Sequence, residues 1–252
     1  MNMRNLKYYL VVFVIIVMSN ASQAQLFKKN RNIYTDTISI NINTEYLEFT
    51  FEFLKGKKHN HPSFVIWIED VNGNIIQPLY VTQAFASGVY PYGSKETGNW
   101  KPGPRRYQAT LPYFIHKWSE TFNDGKLHIP SEANPIADAY TGATPKADFV
   151  ISTSPKTLIK DKFRVVVEFN QPWDVNDFWT NAKYSGDRDY KASCQPSLIY
   201  AVDVNPNDIM NIYHLNPIGH GHYSGKDGRL YTDLSTITTA FEIFKSISLK
   251  IK

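Results

Sequence analysis

Cysteine is almost absent. Cys194 is the single one in 252 residues, which excludes an internal disulfide and a thiolate-only metal cluster. The nucleophile elbow Gly-x-Ser-x-Gly and the zinc-protease signature His-Glu-x-x-His are missing as well, so neither chemistry has its usual sequence support. Charge of one sign is scarce. The first 24 residues contain Arg4 and Lys7, and without them 25 Lys+Arg (27 less 2) face 23 Asp+Glu. That balance argues against a nucleic-acid partner or an acidic surface. Beyond the opening segment no apolar run approaches the roughly 20 residues a membrane helix needs. The sequence also has no internal repeat, charge block, low-complexity tract or linker. Residues 25–252 therefore read as one domain with no membrane span.

The opening segment has the form of an export signal. Arg4 and Lys7 precede the apolar "YYLVVFVIIVM" (Tyr8 to Met18), and "SNASQA" supplies small residues for cleavage after Ala24, with Ala21 the second choice. This predicts a soluble periplasmic or secreted protein. Cys194 reads as a small half-buried residue, since free cysteine behaves as a small hydrophobe.

Apolar segments are short, alternating and rich in β-branched and aromatic residues. "TISININ" (Thr37 to Asn43) alternates cleanly, and "EYLEFTFEF" (Glu45 to Phe53) less strictly. "SFVIWIED", "VNGN" and "IIQPLYV" together predict a hairpin turning at Asn72-Gly73. Five further segments continue the pattern: "DFVISTS", "KFRVVVEFN", "PSLIYAVDV", "DIMNIYHL" and "AFEIFKSISLKI". Only "WDVNDFWTNAKY" (Trp173 to Tyr184) suggests a helix, with Asp174 as its N-cap. About nine strands with turn signals between them predict an all-β antiparallel β-sandwich of immunoglobulin-like topology. Aromatic-rich irregular stretches fall at 86–146, 170–195 and 216–233. Such long loops in a compact domain are usually functional or disordered.

The most informative loop is "PIADAYTGATPKAD" (135–148). Gly142 permits a sharp turn and Ala143 adds little cover. Pro145 biases Thr144 towards an extended backbone that turns its hydroxyl outward. An approaching enzyme would meet an accessible hydroxyl at Thr144. A plain turn, with Asp138 and Thr141 bonding the backbone, accounts for the same residues.

"DAYTGAT" resembles the Asp-x-x-Ser/Thr-Gly-Ala-Ser/Thr sequence on which bacterial flavin transferases attach FMN. The resemblance implies Thr144 as the acceptor of the FMN phosphate, donated by FAD with magnesium. Asp138, Thr141, Gly142 and Ala143 would form the recognition sequence. The small FMN-binding domain that usually surrounds this motif is not evident. The wider chain resembles the domain-of-unknown-function family 2271 of periplasmic proteins. The pieces that carry the likeness are "FVIWIEDVNGNIIQPLYV", "LPYFIHKW", "DAYTGATP", "VVVEFNQPWDVNDFWTN", "CQPSLIYAV" and "PIGHGHYSGKDGRLYTDLSTITTAF". Such proteins are often encoded near flavin transferases and membrane reductases. The resemblance thus implies covalent FMN, with a flavin transferase and an envelope redox protein as partners.

Two other sets of residues bear on function. "HLNPIGHGHYSG" places His220 and His222 at i and i+2, where an extended backbone would turn both imidazoles to one side. With His214 they could hold zinc or copper. A glycine-rich loop whose histidines bond the backbone fits the same sequence. "KKHNHPS" (Lys57 to Ser63) reads as a solvated approach to the next strand. Trp173 and Trp179, in irregular sequence, are candidates to stack on a flavin, though most such aromatics fill a core. Three readings follow: an FMN-carrying electron relay, a non-redox binding module, and a histidine-based metal protein. A redox carrier or binding protein accounts for these features better than an enzyme does.

Overall fold

A computed structural model describes residues 35–252 apart from positions 41, 44, 96, 97, 137–139 and 210, and these residues form one compact unit. The export signal lies outside the described residues, as does Asp138. Strands β1 (Thr35–Ile40), β2 (Phe49–Lys55), β3 (Ser63–Glu69) and β4 (Ile75–Thr82) come first. Helix α1 (Gln83–Ser87), strands β5 (Val89–Ser94) and β6 (Lys101–Pro104), and helix α2 (Pro112–Glu120) follow. Next are β7 (Tyr140–Gly142), β8 (Asp148–Thr153), β9 (Phe163–Asn170) and helix α3 (Arg188–Ser193). The chain closes with β10 (Leu198–Val204), β11 (Ile212–His214), β12 (Asn216–His220) and β13 (Phe244–Ile251).

The fold is an all-β sandwich. One sheet has five strands in the order β1-β8-β2-β13-β11, and the other has six, β12-β10-β9-β3-β4-β7. Most pairings are antiparallel, but β1 with β8 and β4 with β7 run parallel. Phe49, Phe51 and Phe53 of β2 and Phe149 of β8 face Phe64 of β3 and Phe169 of β9 in a shared interior. Phe53 and Phe149 stack with centroids 4.6 Å apart.

Behind the six-stranded sheet lies a second apolar layer. Val65 and Trp67 of β3, Val81 of β4 and Val166 of β9 pack there against Phe85 of α1 and Phe114 and Ile115 of α2. All seven residues of β3 are consequently buried. A sheet covered on both faces reads as a continuous apolar run, whereas a single covered face gives alternation. The expected hairpin is present at Asn72-Gly73: Gly73 has φ +85°, and the Asp70 carboxylate accepts from the Asn72 and Asn74 amides at 2.8 and 2.9 Å.

The helices differ from expectation. Trp173 to Tyr184 forms turns instead of a helix. Trp173 has a left-handed backbone, φ +62°, and Asn176 accepts from the Phe178 and Trp179 amides. Asp174 caps nothing; its carboxylate accepts from the Thr239 hydroxyl at 2.5 Å. Among the described residues three helices lie elsewhere, and the longest of them, α2, has nine residues. No helix among the described residues is long and apolar enough to cross a membrane.

Candidate functional site

The acceptor-like motif sits at the edge of the six-stranded sheet. Among the described residues strand β7 pairs only with β4, aligning Thr82 with Gly142 and Val81 with Thr141. Gly142 is required by a close approach: a Cβ built there would lie 2.8 Å from the Tyr80 hydroxyl. That hydroxyl is buried without a hydrogen-bond partner among the described residues, and burial raises its pKa well above the usual phenol range. After Gly142 the chain leaves the sheet. Ala143 is exposed, Thr144 half-buried and Pro145 buried.

Thr144 is less free than its sequence suggests. Its hydroxyl donates to the Pro62 carbonyl at 2.7 Å. The next carbonyl, Pro145, lies 2.8 Å from Nε2 of His59. A carbonyl only accepts, so Nε2 carries the proton. His59 Nδ1 is buried with no hydrogen bond of good geometry among the described residues. Burial lowers the pKa of His59, outweighing the Pro145 contact that would raise it, so the ring is neutral at pH 7. Lys57, Lys58, Asn60 and His61 of "KKHNHPS" are exposed, as a solvated approach requires, and among residues 57–61 His59 is the half-buried exception. The His59 ring packs 5.2 Å from Phe244 and supports the turn that carries Thr144.

The same loop is fixed to the end of β9. Gln171 accepts from the Asn60 amide at 2.7 Å and donates to the Lys58 carbonyl at 2.9 Å. Two residues further on, Trp173 is 64% exposed. Thr144 and Trp173 thus emerge from the same end of the six-stranded sheet, each adjoining the loop of residues 58–62. Trp179 is placed differently. It is buried, with its indole donating to Thr236 at 3.2 Å, and Phe178, Tyr190 and Tyr223 surround its ring.

The histidines are dispersed. His214 is exposed on β11, opposite Ser248 of the five-stranded sheet. His220 is buried at the end of β12, with Nδ1 2.7 Å from the Gly221 carbonyl and the ring stacked on Tyr231. His222 Nδ1 accepts from the Ser224 amide at 3.1 Å, and burial lowers its pKa more than Asp227 raises it. No three His, Cys, Asp or Glu side chains converge as a metal site among the described residues. Cys194 is fully buried, beyond the half-burial its sequence suggests.

Glu168 is the residue whose importance the sequence conceals most. Its carboxylate is completely buried in β9. It accepts from the Tyr113 and Phe114 amides at 3.1 and 2.7 Å, the orphan donors of the first turn of α2. The Ser197 hydroxyl also donates to it, at 2.5 Å. Burial pushes its pKa up to about 7 against the opposing pull of those three donors. A single acid inside the apolar "VVVEFN" was the available signal, because a lone buried carboxylate needs partners. Comparisons with protein-family models, with curated proteins and with solved structures find no match.

Proposed function

We propose that the mature chain, residues 25–252, is an exported sandwich protein that carries FMN on Thr144 and relays electrons in the cell envelope. The observation that carries this reading is the position of the "DAYTGAT" motif on a three-residue edge strand followed by an exposed alanine and a half-exposed threonine. Among the described residues β7 has one neighbouring strand, so a modifying enzyme would approach from its other side. Attachment would join the Thr144 oxygen to the FMN phosphate of FAD, with AMP leaving. Bound flavin supplies the electron-transfer chemistry, and the protein supplies position and surroundings. The residues present fit the group in two respects. The Thr144 hydroxyl is held by one hydrogen bond, worth about 1 kcal/mol net, so turning it outward costs little. Trp173 offers an exposed indole at the same end of the sheet.

A second reading, a non-redox binding module, draws on the exposed aromatics of the β5–β6 hairpin, Tyr92 and Trp100. Intact mass separates the two. Co-expression with a flavin transferase should add one FMN less water to the mature protein and add nothing to a Thr144→Ala variant. An unmodified mass, with the transferase demonstrably active on another acceptor, would reject the carrier and leave the binding module.

A further inference from the structure

A cavity of about 770 Å³ opens where the end of β6, residues 131–133 and the first turn of α3 meet. Its lining contains three guanidinium groups, Arg105, Arg106 and Arg188, and two carboxylates, Glu132 and Asp189. The arginines outnumber the carboxylates by one, and all three are exposed. Arg164, at the opposite end of the six-stranded sheet, holds Asp203 through two bonds of 2.7 and 3.2 Å. Neither Arg105, Arg106 nor Arg188 makes an ion pair with any described residue. Guanidinium stays protonated at any ordinary pH, so with Glu132 and Asp189 ionised the lining keeps a net positive charge of one, three less two.

The frame that presents them is fixed. Gly88 has φ +67°, and a Cβ there would lie 2.6 Å from Cα of Ser131, so the backbones of 88 and 131 touch. The Arg105 amide donates to the Gly88 carbonyl at 2.8 Å. The Asp187 carboxylate caps α3, accepting from the Asp189 and Tyr190 amides at 3.0 Å. Tyr107, braced edge-on against Tyr90 with centroids 4.9 Å apart, adds an aromatic wall. Burial, and after it the neighbouring Asp187, raises the pKa of Asp189. The volume falls within the roughly 300–1,000 Å³ of small-molecule sites, well beyond the size of a bare ion.

We propose that this cavity binds a small molecule bearing two or more oxyanion charges, phosphate or carboxylate, gripped by the paired N–H donors of Arg105, Arg106 and Arg188. The proposal is independent of modification at Thr144. Calorimetric titration of the mature protein at low salt tests it, with pyrophosphate in one arm and citrate in the other. At least one probe should bind one-to-one. Affinity should fall about tenfold or more in Arg105→Gln/Arg106→Gln and in Arg188→Gln, and should be unchanged in Arg164→Gln. Tighter pyrophosphate assigns the site to phosphates, and tighter citrate to carboxylates. No saturable heat with either probe up to roughly 10 mM would overturn the proposal. So would binding that survives the cavity variants, or that weakens equally in Arg164→Gln. Repeating the titration on Thr144→Ala separates failure here from failure of the flavin reading.

Discussion

The two sheets share one interior and differ in what lies behind them. Behind the five-stranded sheet, Glu52 of β2 is exposed, and its neighbours Ser248 and Lys250 of β13 are half-buried. Behind the six-stranded sheet, the same positions in the pleat carry Val65, Trp67 and Val166, roofed by α1 and α2. Polar residues consequently mean different things in the two sheets. In the five-stranded sheet they meet water. In the six-stranded sheet each buried acid holds a helix: Glu69 binds Lys117 of α2 at 2.8 Å and accepts from the Trp67 indole at 2.8 Å, and Glu168 caps the N-terminus of α2. A buried charge in a doubly covered sheet is thus a docking device, set among apolar neighbours that leave it no alternative partner.

Placing a charge on the outer face of each sheet tests this contrast most severely. Val65→Asp would bury an unpaired carboxylate, and we expect a loss of at least about 5 kcal/mol, enough to unfold the domain. Thr50→Asp on the five-stranded sheet lies opposite Ser152 and Lys250 and should change stability by less than about 1 kcal/mol. Urea unfolding of both variants would show the asymmetry, and equal losses would mean that the helical layer does not exclude water.

Next in size is the Glu69–Lys117 pair. Lys117→Met leaves Glu69 buried, at 2% exposure, without its cation, and should cost about 3–5 kcal/mol. Adding Glu69→Gln removes the stranded charge and should recover most of that loss. A double variant no more stable than Lys117→Met would show that the lysine stem, and not the ion pair, holds α2.

The smallest expected effect depends on pH. An unfolded glutamate titrates near 4.5 and folded Glu168 near 7. Between those values the folded protein holds a proton that the unfolded chain has released. The contribution is therefore greatest below the unfolded pKa, declines as pH rises to about 7, and is flat above. The decline should be on the order of 2–3 kcal/mol. Glu168→Gln should lack it, so the wild-type-minus-variant difference in unfolding free energy between pH 4.5 and 8 isolates the effect. Parallel profiles would show that the carboxylate stays ionised throughout.

How much of this was legible follows the same division. The alternation of β2 and the Asn72-Gly73 turn are local signals; the turn appears where the sequence puts it, and β2 (Phe49–Lys55) begins later than the expected Glu45 and ends beyond Phe53. The short strands β5, β6, β7 and β12 carry little alternation of their own and owe their form to a neighbouring strand. Helix α2 falls in the 86–146 stretch that reads as irregular, although Pro112 at its start and the apolar spacing of Phe114, Ile115 and Trp118 were a signal for it. Its cap, however, comes from Glu168, 54 residues beyond Phe114. Asp174 looked like a cap and instead joins Thr239 and Gln195 in a network drawn from three distant segments. At the candidate site, the exposed alanine and the sharp departure after Gly142 were readable. The turn of the Thr144 hydroxyl towards Pro62, 82 positions away, was not, because nothing local to the motif specifies that acceptor. The cavity arginines were equally hidden, since Arg188 reaches Arg105 and Arg106 only through the fold.

The cap on α2 also bears on whether the helix can be moved. Its N-cap position is Leu111, whose side chain forms no capping bond, and nine residues alone are too few to hold a helix in water. Excised or grafted elsewhere, Pro112–Glu120 would keep its amphipathic face and lose the carboxylate that holds its first turn. The helix is not a transplantable module: half of its instructions are written in strand β9.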